Sequence, residues 1–485
     1  ETEKEEEILK WTIRNNITDK EIERMYIDLL CRLNKYEEAM QTIQKFSLEQ
    51  ETIDNIVNNF IRVNIENIQP FDINSMISIY LKLSQLKQYK KINRFNYHLK
   101  HLLKKILLGL KLKHQNINVN LYNRIKETLN KFDKGLNNAL LNELEWSQKQ
   151  CYLKSKPRLA EIAVTNKCNS KCKMCGSIQK TKWELNSFGF NNVVKMLHYL
   201  QSVTWIGGEV CLYNNFKKLL AIAHKYDVDQ QIITNGLGWR DELLKYATRI
   251  VNSVTVSLDT FDNSMYKYIR GVDGLNKVYG FISKFNGYRT SFNKLCLQMI
   301  LMKSNYKELL KLPKFAADNK INEIIIVPLY RWVYNDFFNK ENIFFQKDGI
   351  SFKKYNNDMY EIYKTIESVS EQLKNNNINI INRIPIINNS INNMQDKKRE
   401  DNVKYTEKDE KNIQIKSCYG PWKHLFIDAN GMVFPDPVCN DNMCLGNINK
   451  ENIFEIWNCK KLISIRQDII NCKINLCNKC KGIDY

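Results

Sequence analysis

The chain has 485 residues, which is too long for one ordinary hydrophobic core and predicts two or three domains. Its formal net charge of +20 is spread along the chain instead of forming one basic stripe, so we expect no nucleic-acid partner. A basic surface of this kind would instead attract an acidic or phosphorylated substrate. No apolar run is long enough to span a bilayer, and residues 1–7 are acidic rather than signal-like, which predicts a cytoplasmic protein without a membrane partner.

Residues 1–150 predict an all-helical accessory domain. Apolar residues recur with helical spacing over residues 25–46, and further helices are predicted at 102–112 and 125–144. The first pattern faintly resembles one tetratricopeptide-type hairpin, but no period of about 34 residues repeats it. We expect no chemistry in this domain, the alternative being a docking role for a substrate or partner. The chain begins at Glu1 instead of a methionine, which would fit a piece of a longer protein.

The most informative motif is a cysteine loop that follows a predicted buried strand at 159–164. Cys168, Cys172 and Cys175 have the spacing C-x3-C-x2-C. The 14 cysteines are concentrated here and at 418–480, which indicates metal binding and not a disulfide framework. A structural zinc site and a cubane [4Fe–4S] cluster each take four protein ligands, so three thiolates would leave one iron of a cubane open.

Strands and helices alternate after this loop. A helix is predicted near 191–200, followed by a strand at 202–206 that ends in Gly207-Gly208-Glu209. Glycines allow a ligand to approach the backbone closely, and a glutamate accepts from a cationic amino group. Further strands are predicted at 231–234, 251–258, 295–301 and 324–329, so the pattern favours a parallel α/β sheet with crossover helices.

The cysteine loop and the Gly-Gly-Glu triplet, in this order, resemble those of radical S-adenosylmethionine (SAM) enzymes. The resemblance implies a partial (β/α)6 barrel over residues 156–375, with chemistry at the carboxyl ends of its strands. It implies that Cys168, Cys172 and Cys175 bind a [4Fe–4S] cluster whose open iron is chelated by SAM. It also implies contacts to SAM from Met174, Gly207, Gly208, Glu209, Ser257 and Arg270. Asp259 either takes part in this site or caps the next helix.

Residues 376–412 are rich in Asn, Ile and charged side chains and predict a low-complexity linker, although 372–381 would also fit one last helix–strand unit. Beyond it, Cys418 precedes two apolar runs joined by Asn430-Gly431, which is a strong hairpin signal. A short helix around Trp457 follows, and then the last cysteines of the chain, Cys472, Cys477 and Cys480.

Residues 413–485 resemble the SPASM/Twitch extension of radical SAM enzymes, which binds auxiliary [4Fe–4S] clusters. The resemblance implies one such cluster, held by Cys418, Cys439, Cys477 and Cys480. Where the family has a cysteine five residues after the hairpin glycine, this chain has Asp436, a further candidate ligand. Cys444 and Cys472 are alternative ligands, and Cys459 is expected in the core. A zinc ion on the same four thiolates is the competing hypothesis.

The resemblance implies an oxidoreductase that receives electrons from an external flavodoxin- or ferredoxin-type donor. It would cleave SAM reductively to a 5′-deoxyadenosyl radical, which abstracts hydrogen from a substrate. The leading hypothesis is a maturase acting on a peptide or protein; the alternative is a dehydrogenase or epimerase of a sugar or aminoglycoside. A non-catalytic iron–sulfur or zinc module is disfavoured, because it would not need the glycine triplet, Ser257 and Arg270. The sequence identifies no catalytic acid or base.

Overall fold

A computed structural model describes residues 25–26, 29–30, 38, 134–175, 182–290, 293–329, 336–344, 357–384, 418–437, 439 and 443–471. The chain divides into two compact units, residues 1–148 and 149–485. In the first unit, helix α1 (Lys134–Ser147) buries Ala139, Leu140 and Leu144 at helical spacing. The predicted helices at 25–46 and 102–112 lie largely or wholly outside the described residues.

The second unit is built on one sheet of ten strands. The strands are β1 (Leu159–Ala163), β2 (Ser202–Ile206), β3 (Asp229–Thr234), β4 (Ser253–Ser257), β5 (Lys294–Leu301), β6 (Glu323–Pro328), β7 (Asn379–Asn382), β8 (His424–Ile427), β9 (Met432–Phe434) and β10 (Gly446–Asn447).

Helices connect most of these strands. They are α2 (Ser187–Leu197), α3 (Phe216–Lys225), α4 (Asp241–Ile250), α5 (Asn263–Arg270), α6 (Leu275–Tyr288), α7 (Leu312–Asp318), α8 (Asp336–Glu341), α9 (Asn357–Asn375), α10 (Gly420–Lys423), α11 (Ile453–Trp457) and α12 (Lys460–Ile470). Short 3-10 helices lie at Val210–Leu212 and Tyr306–Lys311. No helix within the described part of the chain is both long and apolar enough to cross a membrane.

The strand order is β10-β9-β8-β1-β2-β3-β4-β5-β6-β7. Strands β1 to β7 are parallel to their neighbours, as expected when a helix returns the chain between successive strands. This arrangement confirms the predicted α/β architecture with a partial barrel. All six predicted strands are present, with ends that differ from the predicted ones by at most two residues.

The two faces of the sheet differ in chemistry. Trp205 is fully buried and packs edge-on against Phe216 of α3, so its face is covered by helices. Alternate residues point the other way, and the register places Glu161 beside Thr204 and Thr204 beside Gln231. These side chains are half-buried or exposed. The inner face of the barrel is therefore polar and partly open along this row, whereas Ile206 and Ile233 lie on the same face nearer the carboxyl ends of β2 and β3.

Two elements differ from the sequence-based expectation. Strand β7 lies inside the segment predicted as a linker and pairs in parallel with β6, which confirms the alternative of one last helix–strand unit at this point. Its four residues are too few for a clear periodic signal, and their structure depends on the neighbouring strand. Helix α2 begins four residues before its predicted start, because the Asn186 side chain caps it by accepting a hydrogen bond from the Gly189 N–H at 2.8 Å.

The C-terminal region continues the same sheet. Strand β8 pairs in parallel with β1, whereas β9 returns antiparallel to β8. The turn between them is the predicted Asn430-Gly431, with Gly431 at φ +78°. A Cβ on Gly431 would lie 2.5 Å from Trp183, so the hairpin sits closely against the segment that follows the cysteine loop.

Candidate active site

The cysteine loop, residues 168–175, is held by the end of helix α5. The loop N–H groups of Lys171 and Lys173 donate to carbonyls of the last turn of this helix at 2.9 and 3.0 Å. The helix ends at Gly271 with φ +69°, and a Cβ there would lie 2.4 Å from the Lys171 carbonyl oxygen. Helix carbonyls that lack partners within the helix therefore fix the backbone of the loop.

Donor groups surround two of the three thiols. The Sγ of Cys168 accepts from the backbone N–H of Ser170 at 3.4 Å and from Asn235 Nδ2 at 3.6 Å. The Sγ of Cys172 accepts from Arg270 Nη1 at 3.7 Å. Hydrogen bonds of this kind stabilise thiolates and influence the reduction potential of a cluster that the thiolates ligate.

The chemistry of the three thiols fits a cluster. Cys168 as a whole is exposed, yet its thiol is partly desolvated by the groups around the sulfur, which raises the pKa of the thiol to about 11. Burial also raises the pKa of the Cys172 thiol. Among the described residues, no group of three or more His, Cys, Asp or Glu side chains lies close enough to hold one metal ion. In a cubane each cysteine ligates a different iron, so the thiolates lie farther apart than ligands of a single ion. The irons would supply the positive charge that these desolvated thiolates need.

Gly207 and Gly208 bring the end of β2 against the backbone that leads into this loop. The Gly208 N–H donates to the Thr165 carbonyl oxygen at 2.7 Å. Gly207 has φ +144°, and a Cβ there would lie 2.4 Å from the same oxygen. A Cβ on Gly208 would lie 2.3 Å from the Lys167 carbonyl oxygen. The glycines are therefore required for backbone packing, in addition to their predicted contact with SAM, which stays a prediction.

Replacing Gly208 with alanine should displace the cysteine loop. The new Cβ would overlap main-chain oxygens, which cannot rotate away, so we expect the free energy of unfolding to fall by about 1–3 kcal/mol and less iron to be retained. Gly280→Ala is the matched control, because a Cβ at this position in α6 meets no atom within 4 Å. Urea unfolding and iron analysis compare the two variants. Equal behaviour of both would contradict the steric argument.

The Glu209 carboxylate is engaged by the end of β3. It accepts hydrogen bonds from Thr234 Oγ1 at 2.7 Å, the Asn235 N–H at 2.8 Å and Trp239 Nε1 at 3.1 Å. The residue is 1% exposed, and burial raises its pKa to about 7 in opposition to these hydrogen bonds. Glu209 thus holds Asn235 beside Cys168. Its predicted contact with the amino group of SAM stays a prediction.

Arg270, which was predicted to bind SAM together with Ser257, forms a buried ion pair. Its Nη2 lies 2.5 Å from Asp259 Oδ2, and both side chains are buried. The other carboxylate oxygen of Asp259 accepts from the Ile300 N–H at 2.9 Å. Ser257 is the half-buried last residue of β4. The roles of Ser257 and Arg270 toward SAM stay predictions.

The residue that caps helix α5 is Asp262. Its side chain accepts from the Met265 N–H at 2.7 Å, the usual geometry of an N-cap carboxylate. The alternative in which Asp259 caps this helix is therefore wrong. Asp259 lies four residues before the first helical residue, and its carboxylate turns inward to Arg270.

Three further side chains belong to the surroundings of the loop. Met174 is 7% exposed, and its predicted position beside the adenine of SAM stays a prediction. Sequence reasoning missed Asn235 and Tyr266. Asn235 directly follows a parallel strand, where barrel sites are found, so a signal for it existed. Tyr266 of α5 is fully buried, and burial raises its pKa to about 12, but its helical position is typical of a core residue.

The structure describes two of the four cysteines predicted to form the auxiliary site, Cys418 and Cys439. Cys418 and Cys439 are half-buried. A Cβ on Gly420 would lie 3.4 Å from Asp436 Oδ2 and 3.7 Å from Cys418 Sγ, so these two groups are neighbours. This supports Asp436 as a candidate ligand, and the ligand set stays a prediction. The remaining cysteines of the set lie outside the described residues: Cys472, Cys477 and Cys480.

Two other cysteines of this region make local contacts. Cys459 was expected in the core, but it is half-buried at the N-cap of α12, where its Sγ accepts from the Leu462 N–H at 3.4 Å. The Cys444 thiol donates to the Gly446 carbonyl oxygen at 3.6 Å. Its role as an alternative ligand stays a prediction.

The polar inner face of the barrel also carries charge. Burial and the neighbouring Asp436 raise the pKa of Glu161, in the middle of β1, to about 7, and the Arg383 cation partly offsets this rise. The Asp436 carboxylate and the Arg383 guanidinium thus both act electrostatically on Glu161.

Models of two known domains match the chain. The Radical SAM superfamily matches residues 162–316, and the iron–sulfur cluster-binding domain SPASM matches residues 418–481. The fold resembles that of Streptococcus suis SuiB, with a TM-score of 0.51 and 19% identity over 84% of this chain and 88% of SuiB. At this identity the likeness concerns the fold alone.

Two curated relatives match parts of the chain. The sporulation killing factor maturation protein SkfB of Bacillus subtilis is 32% identical over 123 residues, which cover 24% of this chain and 30% of SkfB. A probable GTP 3′,8-cyclase of Pyrococcus abyssi is 29% identical over 188 residues, covering 37% of this chain and 60% of the cyclase. The chain therefore spans less than two thirds of the length of these relatives.

The two matched domains occur in the order expected from the cysteine loop and the C-terminal hairpin. Their cofactors are S-adenosylmethionine, a [4Fe–4S] cluster and auxiliary iron–sulfur clusters. The chain thus carries a Radical SAM domain and a C-terminal SPASM domain.

Proposed function

We propose that this enzyme modifies a peptide or protein. The observation that carries the proposal is the position of the inner barrel face between the two candidate cluster sites. The cysteine loop follows β1, and the neighbours Cys418 and Asp436 lie where β8 and β9 continue the sheet beyond β1. Half-buried and exposed polar residues of the inner face lie in register with Glu161 of β1: Thr204, Gln231 and Ser253. An extended chain with its own amide groups is a suitable occupant of such a polar, open surface.

The residues at the loop have distinct parts in this proposal. When bound, the cluster and SAM supply the one-electron reductive cleavage of a carbon–sulfur bond. Cys168, Cys172 and Cys175 would hold the cluster, while Asn235 and Arg270 donate hydrogen bonds to two of the thiolates. An external flavodoxin- or ferredoxin-type protein would supply the electron. The barrel wall would exclude water and hold the substrate carbon within about 3–3.5 Å of its reaction partner.

Two observations support a peptide or protein substrate. SkfB, which matches a quarter of this chain, is named as a maturation protein of a sporulation killing factor. The charged group of Glu161, Asp436 and Arg383 offers contacts for the charged side chains of a peptide. The GTP 3′,8-cyclase matches favour the small-molecule alternative, since they cover much of the same barrel.

The proposal is tested by SAM turnover. The anaerobically reconstituted chain is incubated with SAM and a reductant, with candidate precursor peptides encoded near its gene or with sugars and aminoglycosides. We expect 5′-deoxyadenosine to form faster with one peptide, together with a change in the mass of that peptide. Turnover stimulated by a sugar or aminoglycoside and by no peptide would favour the alternative. Absence of SAM cleavage under all conditions would contradict the proposed activity.

A further inference from the structure

One buried hydroxyl beside the cysteine loop lacks a hydrogen-bond partner. The Tyr266 side chain is fully buried, and its Oη has no partner among the described residues. Tyr268 on the same helix shows the usual situation, because its hydroxyl donates to Glu341 Oε1 at 3.2 Å. Buried hydroxyls in native proteins nearly always find a partner, since an unpaired one has lost its hydrogen bond to water. The Tyr266 hydroxyl therefore indicates a bound group.

The side chains around the Tyr266 hydroxyl indicate which kind of bound group accepts its hydrogen bond. Tyr266 lies one turn before Arg270 on the same side of α5, and Arg270 donates to the Cys172 sulfur. The ionisable groups that act on the Tyr266 hydroxyl are accordingly Arg270, Cys172, Asp259 and Cys168. Arg270 offers only donors, and it is already directed at the Asp259 carboxylate and the Cys172 sulfur. A tyrosine hydroxyl is protonated at neutral pH and acts as a donor. Both carboxylate oxygens of Asp259 are engaged, by Arg270 and by the Ile300 N–H. The remaining acceptors are two cysteines of the loop, so the missing acceptor is expected at the cluster they would hold.

We propose that the Tyr266 hydroxyl donates a hydrogen bond to a sulfur of the loop cluster, either a cysteine thiolate or a bridging sulfide. The inference rests on the cluster site of the proposed function and adds a contact to the cofactor. A donor to sulfur withdraws negative charge from the cluster, and reduction adds negative charge to it. The hydrogen bond therefore favours the reduced cluster and raises its reduction potential.

The test is the midpoint potential of the loop cluster in the absence of SAM, measured by EPR-monitored titration. Tyr266→Phe should bind as much iron as wild type, with the one-electron reduction equilibrium shifted about tenfold toward the oxidised form, a fall of about 59 mV. Tyr246→Phe is the matched control. That tyrosine lies on α4, where its ring contacts Lys217, and its replacement should leave the potential unchanged.

A fluorinated tyrosine at position 266 provides a second variant. Its more acidic hydroxyl is a stronger donor and should raise the potential, the opposite sign to Tyr266→Phe. If Tyr266→Phe loses iron, this variant decides: an upward shift supports the proposal and no shift overturns it.

Three further results would overturn the inference. An unchanged midpoint potential of the loop cluster in iron-replete Tyr266→Phe rejects this inference and leaves the proposed function standing. A weaker SAM affinity with an unchanged potential places the donor on SAM and rejects the assignment to the cluster. A wild-type protein without a reducible loop cluster rejects the proposed function and this inference together.

Discussion

Replacing Cys168, Cys172 and Cys175 together with alanine should lower the iron content of the reconstituted protein from about eight atoms to about four. The three thiolates are the protein ligands expected for the SAM-binding cluster, whereas the C-terminal cysteines are the ligands expected for the auxiliary cluster. The EPR signal that changes on addition of SAM should disappear with the first cluster. Iron and sulfide analysis, with EPR recorded with and without SAM, measures both effects.

The matched control for this triple variant is Cys151→Ala. Cys151 is a half-buried free cysteine of the same structural unit, outside both candidate cluster sites. It should leave the iron content and the EPR signal unchanged. About four irons and one zinc in wild type would support zinc at the C-terminal thiolates and contradict an auxiliary redox role. A SAM-dependent signal that survives the triple substitution would contradict the assignment of the loop.

Replacing Asp259 with alanine should reduce the free energy of unfolding by about 3–5 kcal/mol. The substitution leaves the Arg270 guanidinium buried without the carboxylate that lies 2.5 Å from it, and it removes the acceptor of the Ile300 N–H. Because the end of α5 holds the cysteine loop, the variant should also bind less iron. Urea unfolding of the metal-free protein measures the first effect and iron analysis the second.

The appropriate comparison is Asp241→Ala. Asp241 forms its ion pairs with Lys245 and Lys284 at the surface, at 3.2 and 3.3 Å, where water and salt screen them. Its removal also takes the acceptors of the Tyr288 hydroxyl, at 2.8 and 2.9 Å, but it leaves no buried charge, so the urea midpoint should fall much less than in Asp259→Ala. An Asp259→Ala variant as stable as Asp241→Ala would show that the buried pair is dispensable. Replacing Asp259 and Arg270 together with leucine should destabilise less than Asp259→Ala, since no lone charge remains.

Much of the barrel could be predicted because its signals are local. Each parallel strand has its own apolar run, and the glycines at 207 and 208 stand directly after one of them. The same locality explains why the sequence left the role of Asp259 open. An aspartate just before a helix is a good cap by its sequence position, and only the tertiary fold decides between Asp259 and Asp262.

Contacts between distant parts of the chain could not be predicted. The partners of β8 in the sheet and of Arg270 at the loop depend on how strands and helices pack. Tyr266 has the pattern of an ordinary core residue, and its unpaired hydroxyl is visible only once its neighbours are placed. Short strands such as β7 likewise depend on pairing more than on their own composition.

The pairing of β8 with β1 has a consequence for dividing this protein into modules. Without the C-terminal hairpin, β1 would become an edge strand with unpaired N–H and C=O groups, which invites pairing with other chains. A barrel expressed without residues 418–434 would therefore be prone to aggregation. Exchange of the C-terminal domain between related enzymes should retain β8 and β9 with the barrel, so that the strand leading into the cysteine loop stays covered on both sides.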